Sequence, residues 1–136
     1  MAGPGLPALV ARRVEPMSSI VIIEEDGLMR GLLSEWLTAE GYAVREQRLC
    51  APHAGHSADL VIVDLYMPRQ AGGEVVRAVQ QAHPGTPVIA ISAQFRPGLD
   101  GSCWAARALG VRQLIAKPFT REDLLEAVRG VIGPPR

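Results

Sequence analysis

Short apolar runs, each about as long as a buried strand, recur along this chain with helical patterns between them. This alternation limits the fold more than any other feature. Ile20–Ile23, Leu60–Val63 and Val88–Ile91 hold no polar residue, and Val111–Ala116 is a further strand segment. A sheet with one face in water alternates apolar and polar residues, whereas strands covered on both faces read as continuous Val/Ile/Leu runs. Tyr42–Val44 opens a further strand. Leu28, Leu32, Leu33, Trp36 and Leu37 recur at helical spacing and end at Gly41. Glu74–Ala82 is helical and closes in the turn His83-Pro84-Gly85. Ser102–Leu109 is helical and stops at Gly110. Thr120 caps a last helix, with Asp123 at capping-box spacing and Leu124, Leu125 and Val128 on its inner face. Strands alternating with helices, joined by right-handed crossovers, give an α/β doubly wound sheet of five parallel strands. The second crossover, residues 45–59, contains Pro52 and Gly55 and has no helical period. A helix there is expected to be short or missing.

At 136 residues and 14.6 kDa the chain has the size of one domain. Hydrophobic residues make up 48%, too many for a disordered polymer. Fourteen basic and fourteen acidic residues cancel, which argues against a nucleic-acid or anionic-membrane surface. No apolar run reaches the length of a membrane span. Cys50 and Cys103 form no CxxC pair and suit a reduced, cytoplasmic setting, although one disulfide is compatible with the sequence. Residues 1–17 are rich in Gly and Pro and lack the uninterrupted apolar stretch of a signal peptide. They read as a flexible leader, with Met17 as the candidate natural start. Residues 18–133 are then the folded domain, and no output domain is expected.

Ligands of doubly wound sheets bind at the carboxyl ends of the strands. Those ends carry Glu24, Glu25 and Asp26 after the first strand, Asp64 after the third, Ser92 after the fourth and Lys117 after the fifth. Carboxylates gathered at one edge repel each other unless a cation compensates, and oxygen donors of this kind suit Mg²⁺. Lys117 is the only lysine; the other thirteen basic residues are arginine. A compact ammonium fits a small anionic pocket better than a planar guanidinium does. Metal, ammonium and hydroxyl together suit a phosphoryl group, with a carboxylate as nucleophile.

In VIIEEDGLMR, in Asp64-Leu-Tyr-Met-Pro followed by Gly72, in VIAISA and in Lys117-Pro118-Phe119, the chain resembles the receiver domain of bacterial two-component response regulators. The resemblance runs from Ser18 to about Ile132 and implies a flavodoxin-like fold. It implies that Asp64 accepts a phosphoryl group from a phosphohistidine on a sensor histidine kinase or histidine phosphotransfer protein. It makes Glu25 a direct Mg²⁺ ligand together with Asp64 and the backbone carbonyl of Tyr66, while Glu24 acts through a metal-bound water. Ser92 bonds the phosphoryl oxygen, Ala93 leaves it room, and Lys117 pairs with Asp64 before phosphorylation and with the phosphoryl group after it. Tyr66 and Gln94 hold positions that tune the lifetime of the phosphoaspartate. The Lys117–Pro118 bond is expected to be cis, and the output is expected to pass to an unknown protein partner.

Three features depart from that pattern. The acidic pair is Glu-Glu, which puts one extra methylene at the metal position. Leu114 stands where the family carries an aromatic ring that swings inward on activation. The segment between Ser92 and Lys117 is lengthened (QFRPGLDGS), and the second crossover is shortened. Glu25 and Leu114 favour a competing reading, a degenerate receiver that binds a partner without phosphorylation. A phosphatase using an aspartate nucleophile needs a second aspartate where Tyr66 stands. No phosphate-binding glycine loop follows the first strand. His53 and His56 lack a third metal ligand, and His83 reads as a helix-end residue. Trp36 reads as core. Trp104 is a candidate for the core or for a partner face, and Phe95 and Leu99 in the long loop are candidates for a contact surface.

Overall fold

The computed structural model describes residues 18–48, 58–65, 69–92, 106–107 and 109–135. In chain order the elements are β1 (Ser19–Ile23), α1 (Gly27–Glu40), β2 (Ala43–Glu46), β3 (Leu60–Asp64), α2 (Arg69–Ala82), β4 (Val88–Ser92), β5 (Gln113–Ala116) and α3 (Arg121–Ile132). Ala106, Arg107 and Leu109 are helical as well. The strands form one parallel sheet in the order β2-β1-β3-β4-β5. This is the flavodoxin-like α/β sheet expected from the sequence. Of the second crossover, Arg45 and Glu46 belong to β2, and Gln47, Arg48, Ala58 and Asp59 are described and not helical.

Strand periodicity sorts the apolar runs onto two faces. Ile20, Ile22, Leu60, Ile62, Ile89, Ile91 and Ile115 point to one side, where Leu33 and Leu37 of α1 and Leu124, Leu125, Ala127 and Val128 of α3 cover them. Val21, Ile23, Val61, Val63, Val88 and Ala90 point to the other, against Val75, Val76 and Val79 of α2 and against Ala106. All five residues of β3 and of β4 are buried. Each Val, Leu or Ile removed from water in this way contributes about 1.5–3 kcal/mol.

Capping chemistry sets the helix ends. The Asp26 carboxylate accepts from the Leu28 and Met29 amides at 2.9 and 3.3 Å and starts α1. Gly41, at φ 112°, ends α1 in the left-handed conformation that its sequence position implied. Thr120 and Asp123 bond each other's backbone at 3.0 Å, the capping box read from the sequence. The Lys117–Pro118 peptide is cis.

Four local expectations need correction. α2 begins at Arg69, five residues before Glu74. Gly72 and Gly73 each cost the helix about 1 kcal/mol, less than burial of Val75, Val76 and Val79 returns. β5 begins at Gln113, and Val111 is buried outside the strand. The α1 stripe is narrower than its spacing implied, because only Leu33 and Leu37 are fully covered. Leu28 is 89% exposed and Leu32 38%. Trp36 is half-buried at the rim of the core, edge-on to Phe119 with ring centroids 6.5 Å apart. Residues 1–17, Cys50, His53, His56, Tyr66, Ala93, Gln94, Phe95, Leu99, Cys103 and Trp104 lie outside the described residues.

Candidate functional site

Strand order reverses between β1 and β3, so the crevice of this sheet opens above their carboxyl ends. Asp64 is the last residue of β3 and is 5% exposed. Glu24 follows β1 directly and is 4% exposed. Ser92 closes β4 at 1% exposure, and Lys117 follows β5. Parallel pairing holds these ends level. Ile23 lies opposite Val63, Asp64 opposite Ile91, and Ser92 opposite Ala116. The ladder continues past the strands, with Leu65 N–H donating to Ile91 C=O at 2.7 Å and Lys117 N–H to Ser92 C=O at 3.0 Å.

Lys117 Nζ donates to Asp64 Oδ2 at 2.6 Å. The carboxylate of this pair is 2% exposed and the ammonium side chain 28%. A charge-assisted bond this short fixes the orientation of the aspartate inside the fold. Among the described residues, no hydrogen-bond donor reaches the other aspartate oxygen, the buried Oδ1, or the buried Glu24 Oε1. Glu24 Oε2 accepts from the Asp26 amide at 2.9 Å. The Glu24 carboxyl is pushed up to about 7, mainly by burial and then by the neighbouring Asp64 carboxylate; the Asp26 amide and Lys117 pull it back. Two ionised carboxylates cannot bond each other. A proton on Glu24 relieves the pair, and a bound cation would relieve it as well. These residues therefore fit a hard divalent ion such as Mg²⁺.

The structure brings Glu24, Asp64, Ser92 and Lys117 to one edge. Glu25 sits at the same edge with its side chain exposed to solvent. Among the described residues, no three His, Cys, Asp or Glu side chains are grouped as a metal site. Asp26 is committed to capping α1 and is withdrawn from the acidic cluster. His83 is buried and lies away from the site, at the end of α2 before β4 begins.

The matching family model is described as the response regulator receiver domain and covers residues 20–129. The chain belongs to this family. Among curated proteins, this receiver is 32% identical over 125 residues to "Regulatory protein VirG" of Agrobacterium fabrum, covering 86% of the chain and 47% of that protein. It is 28% identical to "Transcriptional regulatory protein CpxR" of Escherichia coli K12, covering 85% and 50%. The chain thus spans about half the length of the curated relatives it matches. Among solved structures, the Vibrio cholerae chemotaxis protein CheY4 superimposes with a TM-score of 0.69 at 24% identity, over 85% of this chain and 99% of that one. A response regulator from Burkholderia multivorans, studied in solution, is 31% identical with a TM-score of 0.56, over 85% and 94%. Receivers are signalling domains.

Two parts of this receiver's site escaped the sequence reading. Arg30 donates from Nη1 to the Glu24 carbonyl at 2.9 Å, and its Nε lies 3.3 Å from Glu46 Oε1 at the end of β2. The available signal was a basic residue in the second turn of α1, six positions after Glu24. The other part is an apolar groove of about 370 Å³ beside Lys117, lined by Met29, Leu32, Trp36, Pro118 and Phe119. The exposed Leu32 that spoils the core stripe belongs to this groove. Among the described residues, no helix is long and apolar enough to cross a membrane.

Proposed function

We propose that this receiver accepts a phosphoryl group on Asp64 from a phosphohistidine of a sensor histidine kinase or histidine phosphotransfer protein, and signals by protein–protein contact in the cytoplasm. One observation carries this reading. Asp64 is a buried carboxylate at the mouth of the sheet, with one oxygen held by Lys117 and the other paired with no donor among the described residues.

The chemistry follows from that asymmetry. Lys117 orients the carboxylate through Oδ2 and leaves Asp64 to attack phosphorus. A P–O bond forms to Asp64 while the P–N bond to the imidazole breaks, and the departing nitrogen takes its proton from solvent. Lys117 then shifts its charge to a phosphoryl oxygen, and the Ser92 hydroxyl donates to another. Burial of the edge residues keeps water away from the mixed anhydride. Glu25, Asp64 and the Tyr66 carbonyl would hold Mg²⁺ directly, with Glu24 acting on it through water. When bound, the ion neutralises charge on the phosphoryl oxygens.

The competing reading, a phosphorylation-independent binding module, draws on two observations. Glu25 is exposed, and Leu114 is half-buried against the valine-rich core with no ring to reorient. Incubation with acetyl phosphate and Mg²⁺, followed by intact-mass measurement, separates the two. The expected result is one added phosphoryl group on the wild type and none on Asp64→Asn. A wild type left unlabelled under conditions that label a control receiver refutes phosphoryl acceptance.

A further inference from the structure

The turn from Glu24 to Asp26 carries the acidic side of the site, and bonds from three side chains strap it down. The Glu24 side chain accepts from the Asp26 amide at 2.9 Å, and the Asp26 side chain caps α1. The third bond is the one from Arg30 Nη1 to the Glu24 carbonyl at 2.9 Å. The backbone amide of Arg30 also donates to the Asp26 carbonyl at 2.8 Å. One residue thus bonds both ends of the turn. Its guanidinium is held from the far side by Glu46, whose strand is in register with β1 at Ile22.

We propose that Arg30 is the positioning residue of the acidic turn, anchored by Glu46 and setting where Glu24 and Glu25 stand relative to Asp64. The proposal rests on the cation-assisted reading of the site given above. A buried carbonyl needs a donor, and α1 supplies this one from its second turn. The Arg30–Glu46 pair is 35% and 46% exposed, so its contribution to global stability is small. Its effect is geometric. A guanidinium donates along two directions in one plane, which allows simultaneous bonds to the Glu24 carbonyl and to Glu46. An ammonium at the same place lacks that fork.

Charge and geometry predict opposite signs here. A positive charge beside a cation site repels the cation, so on electrostatics alone Arg30→Met tightens Mg²⁺ binding and Arg30→Lys leaves it unchanged. If Arg30 positions the turn, both variants weaken binding. The test is calorimetric titration of the full chain with MgCl₂. It is paired with melting temperatures and with amide hydrogen exchange of Asp26 in chelator-treated protein. Arg30→Lys and Arg30→Met are expected to weaken Mg²⁺ about tenfold, and Glu46→Gln about threefold. The Asp26 amide is expected to exchange faster in all three, while the melting temperature changes little. Wild-type affinity in Arg30→Lys, tighter binding in Arg30→Met, or unchanged Asp26 exchange each overturns the proposal. So does a drop in melting temperature with affinity and exchange unchanged, which marks a purely structural role. A wild type that binds no Mg²⁺ refutes the cation reading instead, and the exchange data still decide whether Arg30 holds the turn.

Discussion

Replacing Glu24 by glutamine removes a buried negative charge while keeping the shape of the side chain. In the folded protein the Glu24 carboxyl rises from 4.5 to about 7, chiefly through burial and then through Asp64. At 1.36 kcal/mol per pH unit, that rise corresponds to about 3 kcal/mol. The folded state binds this proton more tightly than the unfolded chain does. The resulting stabilisation is complete below pH 4.5 and is lost as pH rises through about 7. Glutamine is neutral throughout, so Glu24→Gln loses nothing over that window. With divalent cations chelated, urea unfolding is expected to give nearly parallel stabilities at about pH 5. By about pH 8 the variant should gain about 3 kcal/mol on the wild type, on the order of 10 °C in melting temperature. Subtracting the variant removes the contributions of the other carboxylates, which are common to both proteins. Saturating Mg²⁺ at about pH 8 should raise the wild type by mass action and narrow the gap. A difference between the two proteins that stays flat from about pH 5 to about pH 8 refutes the argument, because it means Glu24 titrates alike folded and unfolded.

Other expectations concern the fold and the ammonium. Leu37→Ala empties a fully buried site and should cost about 2–5 kcal/mol in urea unfolding. Leu28→Ala on the same helix, at a position 89% exposed, should stay within about 0.5 kcal/mol. Equal costs would contradict the placement of the α1 stripe. Thr120→Ala deletes one arm of the capping box and should lower stability by about 1 kcal/mol; thermal melts measure it. Lys117→Arg puts a planar guanidinium where an ammonium sits 2.6 Å from Asp64, and labelling by acetyl phosphate should slow at least tenfold, on the order of 1.4 kcal/mol. Labelling at the wild-type rate would show that any cation serves there.

The sheet, its parallel sense and the site edge were legible in the sequence because each rests on local chemistry. Continuous β-branched runs need cover on both faces, and the residues that follow such runs stand at the ligand-binding edge of a doubly wound sheet. Asp64, Ser92 and Lys117 could be read in that way, as could the caps at Gly41 and Thr120. Helical spacing alone could not separate Leu28 and Leu32 from Leu33 and Leu37. Which side of α1 meets the sheet depends on where α3 and the Lys117–Phe119 segment lie, and those are distant in sequence. The start of α2 was hidden for a related reason. The local cost of Gly72 and Gly73 was visible, whereas the burial that outweighs it comes from β3 and β4.

Tertiary structure also decided how the acidic residues divide their tasks. Glu24, Glu25 and Asp26 are consecutive and chemically alike. In the fold, one is buried against Asp64, one faces solvent and one caps a helix. Arg30 acquires its place only when α1 turns back over β1 and meets the end of β2. Composition and spacing determined which chemistry this chain can hold, because apolar periodicity and residue type are local properties. The three-dimensional arrangement decided which oxygen is left without a donor among the described residues and which charge answers it. Burial and pairing energies depend on neighbours that the chain brings together from 53 residues away, as it does for Lys117 and Asp64.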